Sequence, residues 1–405
     1  MRTKFIIFII IFGALFSSGR AQEQRLTLED AVAAALKNNP DILRAQKEVD
    51  GSRGRLLQAE ALPNPEIVMS NEAIPWSFRG GETEINLGIR QLFEFPGKRS
   101  LRKTMGKTGE EIAQAGLGRV RMGVASRVKK AYIQVSFSQR VTAQLQSLLD
   151  VMGQYQEMAD IRFRTGEVAA ADVFRGRLES LKIQNELIEA RRAWRADILK
   201  LQYLMGMDPS VPIRLTTELS YVPLARTVED LKREAEGRPS LLALKLEMDR
   251  AITGVDLARK NIYPDFRLGL YYPSQKFSGW GFEIESSIPI FRKKQAGEVL
   301  EAEALQQERR IMLEAGKRRI LMLIDTTYAD IKAAEERLIL FEQSLLREAE
   351  DMLQAAIGQF RYGKTDSLHV FDIYRIYKET RLEHLKTLLN FHLSLAELEA
   401  VGEEE

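Results

Sequence analysis

The feature that most constrains this chain is an internal duplication, because segments of its first half return about 200 residues later. Thr-Leu-Glu-Asp at 27–30 returns as Thr-Val-Glu-Asp at 227–230. Phe-Arg-Thr-Gly-Glu at 163–167 returns as Phe-Arg-Tyr-Gly-Lys at 360–364. Matching segments in one order indicate a repeated structural unit, and such a repeat decides the fold class.

Each half reads as a short helix, a helix that begins at a proline, two strands, a long helix, a glycine turn and a last helix. We predict the first repeat at 22–206, a linker at 207–226, the second repeat at 227–402 and an acidic tail at 403–405. The fold class expected is mainly α with a smaller β part.

The predicted strands alternate apolar and polar residues, and they lie at about 66–71, 84–95, 265–272 and 281–290. The predicted long helices lie at about 98–164 and 293–362. At 1.5 Å per residue, the first of these helices would be roughly 100 Å long. A compact globular domain of this size has no room for two such rods, so they must run beside something equally long.

Apolar residues recur every seven positions in both long helices, which predicts coiled-coil packing. In the second half they are Ile324, Ile331, Leu338, Leu345 and Met352. In the first half Val128, Val135, Leu149 and Phe163 lie in one heptad phase. A solvated coiled-coil spacer would show the same pattern and stays open as an alternative.

The strand pattern is typical of transmembrane barrels, in which alternating segments of about ten residues end near aromatic side chains. Trp76, Phe78, Phe277 and Trp280 lie between the paired strands. The smallest membrane barrels need about eight strands, and an open edge in lipid would cost several kcal/mol for each unpaired backbone group. Strands that span a membrane would therefore require an oligomer, whereas two ordinary hairpins in a soluble head would not.

The N-terminus predicts a secreted protein. Residues 1–21 have a basic start, an apolar run and small residues at the end, which are the three parts of a signal peptide. A retained membrane anchor is the alternative. The chain has no cysteine, which excludes disulfides, thiolate metal ligands and a lipid anchor on cysteine. Without Arg2, Lys4 and Arg20, 56 basic residues face 57 acidic ones, so a nucleic-acid partner is not expected. We find no motif for an enzyme and expect no cofactor.

The order of motifs resembles the TolC family of outer-membrane efflux proteins. The motifs are Leu-Glu-Asp-Ala at 28–31, Asn-Pro at 39–40 and Pro-Asn-Pro at 63–65, followed by two copies of the same helix and strand order. Phe-Pro-Gly-Lys-Arg at 95–99 is similar to the CzcC-like heavy-metal-efflux branch of that family.

The resemblance implies a homotrimer with a twelve-stranded β-barrel in outer-membrane lipid and an α-helical barrel in the periplasm. It also implies docking to a periplasmic adaptor, or membrane fusion, protein and an inner-membrane pump. The chain would be a passive exit duct, with metal cations as the expected cargo and drugs or other small molecules as the alternative. A periplasmic coiled-coil adaptor or scaffold is the competing function.

The resemblance also implies a channel constriction just after the second glycine turn, at Tyr362, Asp366, His369 and Asp372. Asp372 falls on one acidic position of the family, and His369 falls where a second acid often lies. Asp366, His369 and Asp372 could alternatively read as metal ligands on one helix face, but we expect no permanent metal site because the chain has only three histidines. An ordinary solvated helix start, with Asp366 near the positive end of the dipole, is the simplest alternative.

The glycine turns themselves are expected to be the tips that dock the adaptor. These residues are Thr165, Gly166, Glu167, Gly363 and Lys364. Their alternative role is only to reverse the helix direction, which glycine favours.

Overall fold

The protein is described by a computed structural model that covers residues 24–72, 84–272 and 279–403. The helices are α1 (Leu28–Asn38), α2 (Pro40–Glu60), α3 (Lys98–Arg164), α4 (Ala170–Met205), α5 (Val228–Ala235), α6 (Pro239–Lys260), α7 (Lys293–Leu340), α8 (Leu346–Arg361) and α9 (Ser367–Glu399). The strands are β1 (Gln24–Leu26), β2 (Glu66–Glu72), β3 (Glu84–Phe93), β4 (Ile213–Leu215), β5 (Phe266–Tyr272) and β6 (Gly281–Ser286). The predicted signal peptide and the aromatic residues Trp76, Phe78 and Phe277 lie outside the described residues. Within those ranges, none of the helices is both long and apolar enough to span a bilayer.

The duplication appears in the way that corresponding helices begin. The Thr27 hydroxyl accepts a hydrogen bond from the Asp30 amide at 3.1 Å, and the Thr227 hydroxyl accepts one from the Asp230 amide at 3.2 Å. Such caps satisfy amides that have no partner in the first turn of a helix. Pro40 and Pro239 then occupy the first turns of α2 and α6, where a missing amide hydrogen carries no penalty.

The two long helical segments differ in one respect. Helix α3 is continuous over 67 residues, whereas a π-helical turn at Phe341–Leu345 separates α7 from α8. A π turn holds one more residue than an α turn, so it shifts the apolar stripe by one position.

The heptad prediction was therefore right up to Leu338 and wrong from Leu345 onward. Ile324, Ile331 and Leu338 are buried, whereas Leu345 and Met352 are 38% and 43% exposed. Leu353 and Phe360 occupy the core positions instead, one residue later in the heptad. In the first half Val128 and Val135 are buried as predicted, but Phe163 at the end of α3 is 45% exposed.

The described residues form three apolar cores. One core is built from the first half, around Val128 and Tyr132 of α3, and a second from the second half, around Ile324 and Phe391. The third lies between the glycine turns and the middle of the rods, and it combines α3 and α4 with α8 and α9. The two repeats therefore share a core at the end where their turns lie.

The segment predicted as a linker at 207–226 is packed against the helices. Strand β4 pairs in parallel with β1, a pairing that the sequence did not predict. Further along, the ring of Tyr221 contacts that of Phe391 at 5.4 Å, and the Leu224 amide donates to Glu335 at 2.6 Å. This segment joins the repeats and also covers part of each.

The larger sheet has four antiparallel strands in the order β2-β3-β5-β6, so the central pairing joins the two repeats. Strand β3 ends at Phe93 and β6 at Ser286, both earlier than the predicted ends at 95 and 290. Pro96 and Pro289 follow closely and cannot donate to a ladder. The amide of Phe95 donates to the Asp265 carboxylate at 2.8 Å instead of to a strand.

Candidate functional site

One face of the four-stranded sheet is apolar and exposed. Ile67, Ile89, Leu270 and Phe282 lie opposite one another in register, one on each strand. Their side chains are 81%, 50%, 44% and 67% exposed. A contiguous exposed apolar surface marks a site that another apolar phase or molecule covers.

The opposite face of the sheet is polar and carries a chain of ion pairs. Arg90 bonds to the carboxylates of Glu66 at 2.8 Å and Glu285 at 3.2 Å, and Arg267 bonds to Glu285 at 3.1 Å. These contacts connect all four strands. An apolar face opposite a polar one is the arrangement of a barrel wall with lipid outside and water inside.

A tyrosine also lies across this polar face. The ring of Tyr271 passes over Gly88 and Gly269 on neighbouring strands, and a Cβ atom at either position would collide with it. The Tyr271 hydroxyl donates to the carboxylate of Glu283. The two glycines are therefore needed for the close approach of the ring.

The Phe-Pro-Gly-Lys-Arg motif joins the sheet to α3. Gly97 has a φ of 92°, which lets the chain turn into the helix. The buried Lys98 ammonium donates to the Tyr263 carbonyl at 2.7 Å and to Asp265 at 2.9 Å. The ring of Phe95 stacks on that of Tyr263 at 4.4 Å. These contacts bind the first repeat to the second at the base of the sheet.

The residues predicted to form a constriction lie on or beside the first turns of α9, and all four are exposed. The Asp366 carboxylate caps α9 by accepting from the His369 amide at 2.9 Å. Asp372 forms a distant ion pair with Arg375, at 3.8 Å, and Tyr362 is 75% exposed. In the described ranges, no three histidine or acidic side chains are close enough to hold a metal ion, so Asp366, His369 and Asp372 do not converge. Their role as a constriction stays a prediction.

The two glycine turns have the same geometry. Gly166 and Gly363 have φ values of 80° and 71°, in the left-handed region that closes helices. The amide of Glu167 donates to the Arg162 carbonyl at 2.8 Å, and that of Lys364 donates to the Gln359 carbonyl at 2.9 Å. The side chains of Thr165, Glu167 and Lys364 reach the surface, so the turns can both reverse the chain and meet a partner.

Arg162 joins the two turns and was not identified from the sequence. Its guanidinium donates to the Phe360 carbonyl at 2.6 Å and to Glu167 at 3.0 Å, and it lies 4.8 Å from the centre of the Phe360 ring. The corresponding residue of the second repeat is Gln359. That difference between the repeats was the one signal available, because nothing local marks Arg162 as a bridging residue.

The comparisons with known proteins agree with this geometry. A family model described as outer membrane efflux protein matches residues 31–207 and 231–401. The cobalt-zinc-cadmium resistance protein CzcC of Cupriavidus metallidurans is 27% identical over 374 residues, which cover 90% of this chain and 86% of that protein.

Solved structures share the fold across nearly the whole chain. A structure of CusC matches with a TM-score of 0.80 at 17% identity, over 92% of this chain and 90% of that one. The outer membrane protein VceC of Vibrio cholerae matches with a TM-score of 0.79 at 18% identity, over 93% and 96%. The resemblance on which the sequence-based prediction relied is confirmed: the chain belongs to the outer membrane efflux protein family.

Proposed function

We propose that this chain is the outer-membrane exit duct of a tripartite efflux system, through which metal cations pass without energy input from the duct itself. The observation that carries the proposal is the two-faced, four-stranded sheet attached to long helices. The apolar face suits lipid and the polar face suits a water-filled lumen.

Two open edges of the sheet support a homotrimer. Within the part of the chain that the structure describes, β2 and β6 each pair with one strand, so each leaves a row of backbone groups without a strand partner there. In lipid every such group must be satisfied. Pairing β6 of one protomer with β2 of the next satisfies both edges, and three four-stranded sheets make a twelve-stranded barrel.

An apolar stripe on α4 gives independent support for a second copy of this chain as the neighbour. Phe174, Leu178, Leu181 and Ile188 follow the spacing of one helix face, and they are between 55% and 64% exposed. Burial of such side chains contributes about 1.5–3 kcal/mol each. An apolar stripe that runs along a long helix can be covered over its whole length by another long helix, but only in part by a compact protein.

The proposed partners are a periplasmic adaptor protein and an inner-membrane pump, with the adaptor at Thr165, Gly166, Glu167, Gly363 and Lys364. Metal cations are the proposed cargo because CzcC is named for cobalt, zinc and cadmium resistance and is similar over 90% of this chain. The exposed Asp372 in each protomer would place acidic charge on the cation path.

Membrane fractionation of cells that make the full-length chain tests this proposal. We expect a processed trimer in the outer-membrane fraction, and we expect it to restore metal tolerance to cells that retain a metal pump and adaptor but lack their duct. Restored tolerance to drugs but not to metals would overturn the proposal that metal cations are the cargo. A monomer released with the periplasmic contents would overturn the duct and favour a coiled-coil adaptor or scaffold.

The constriction is tested by Asp372→Ala in planar bilayers. In a trimer this substitution removes three carboxylates from the proposed constriction. The channel conductance should rise severalfold, and block of the channel by divalent cations should weaken. Glu157→Ala is the matched control. It removes an exposed acidic side chain of α3 near the glycine turns, at the end of the molecule where Asp372 also lies. Equal conductance and equal block in the two variants would show that Asp372 is an ordinary solvated residue.

A further inference from the structure

An open cleft of about 560 Å³ lies where the β1–β4 pair meets the middle of α3, far from both the sheet and the glycine turns. Three arginines line it: Arg25 from β1, Arg140 from α3 and Arg214 from β4. The same cleft is lined by Gln139 and Thr217, which can donate hydrogen bonds. Glu218 is the one acidic residue of this lining.

The β1–β4 pairing places two of these positive charges side by side. Arg25 and Arg214 are direct partners in the parallel register. Their neighbours Leu26, Ile213 and Leu215 pack into the first-half core, which turns both arginines away from the core to the same side. Like charges directly opposite one another destabilise a strand pair, so this arrangement carries an electrostatic cost.

No close ion pair within the described ranges offsets that cost. Arg25, Arg140 and Arg214 have neither a side-chain hydrogen bond nor an ion pair with the described residues. Some other arginines of the chain are paired, as Arg90 is with Glu66 and Arg381 is with Glu350. Burial, together with the positive charge of Arg140, lowers the pKa of the nearby His392 to about 4.

The chemistry of the lining defines what could bind. A guanidinium presents a planar fork of donors that matches the oxygens of phosphate and carboxylate. The cleft is within the range of about 300–1,000 Å³ that small-molecule sites occupy, so it can hold more than a single inorganic ion. It lies roughly 57–68 Å along α3 from the sheet end, which places it beyond reach of lipid headgroups around the sheet.

We propose that this cleft is a binding site for a small, multiply charged oxyanion that carries phosphate or carboxylate groups. The bound anion would lie between Arg25 and Arg214, with Arg140 on its third side, and would relieve the repulsion between the two strand residues. Neither the family comparison nor the proposed duct function requires such a ligand. The site could tie the N-terminal strand to the rod in response to an anion.

The experiment is a titration of the purified full-length protein in detergent with inorganic phosphate and, separately, with citrate, followed by calorimetry. Sodium chloride at matched ionic strength is the reference, because screening alone would also reduce the repulsion. Saturable binding of phosphate would assign the site to phosphate groups, and saturable binding of citrate alone would assign it to carboxylates. Absence of saturable binding for both anions would overturn the proposal.

Variants locate the site. Arg25→Gln, Arg140→Gln and Arg214→Gln should each weaken binding about tenfold or more, because each removes a charged hydrogen bond to the anion. Arg177→Gln, an exposed arginine of α4, should leave the affinity unchanged. Without an anion, Arg214→Gln should raise the melting temperature, since it removes the like charge opposite Arg25. Unchanged affinity in a triple variant would place the bound anion elsewhere and overturn the proposal.

Discussion

Ile284→Arg is expected to remove most of the protein from the outer membrane. Ile284 is 62% exposed on the apolar face of the sheet, where lipid is the proposed neighbour. An arginine on the lipid face costs up to about 2–4 kcal/mol, with the largest cost at the midplane of a bilayer and less towards its interfaces. A trimer would carry that cost three times, so heat-resistant trimer in the outer-membrane fraction should fall to a small part of the wild-type amount.

Leu92→Arg is the matched control for this experiment. Leu92 is aligned with Arg267 and Glu285 in the row next to that of Ile284, so it lies at nearly the same depth on the polar face. There an arginine would meet water and a carboxylate, and the trimer should form. Equal loss of trimer in both variants would mean that the two faces do not separate lipid from water.

Phe360→Ala is expected to destabilise the end of the molecule where the turns lie by about 3–5 kcal/mol. The Phe360 side chain is fully buried, its ring lies 5.0 Å from that of Tyr155, and the Arg162 guanidinium covers it. Truncation would leave a cavity in the core that both repeats share. Chemical denaturation of the purified protein, with amide hydrogen exchange to localise the effect, would measure the loss.

Phe163 is the counterpart of Phe360 in the first repeat and gives the control. Its side chain is 45% exposed, so Phe163→Ala should change stability by only about 0.5 kcal/mol in the isolated protomer. If both substitutions had the same effect, the shared core would not depend on Phe360.

Most of the fold could be predicted because it depends on periodic patterns and on the duplication. Local sequence signals mark the ends of helices whatever the rest of the fold is. Examples are the N-cap of α1 at Thr27 and Asp30 and the glycine turn at Gly166. The π turn at Phe341–Leu345 has no such signal, because one extra residue in a helix leaves composition and propensity unchanged. That is why Leu345 and Met352 were assigned to the core although they are exposed.

Pairings between distant segments were harder to predict. Strands β1 and β4 have only three residues each and lie on either side of the first repeat, so they are too short for an alternating pattern to identify them. Arg162 likewise acts through a carbonyl of the other repeat. At the candidate constriction, the sequence located the start of α9 through Asp366, but it cannot say which surface of that helix faces a lumen.

The different exposure of Phe163 and Phe360 has a consequence for how a partner protein would bind the glycine turns. The two tips of one chain come from a duplicated motif, yet one exposes its phenylalanine and the other buries it beneath Arg162. A trimer would thus present six tips of two alternating kinds around its end. A partner that binds every tip would meet two distinct environments in equal number, and its copies could not all be equivalent.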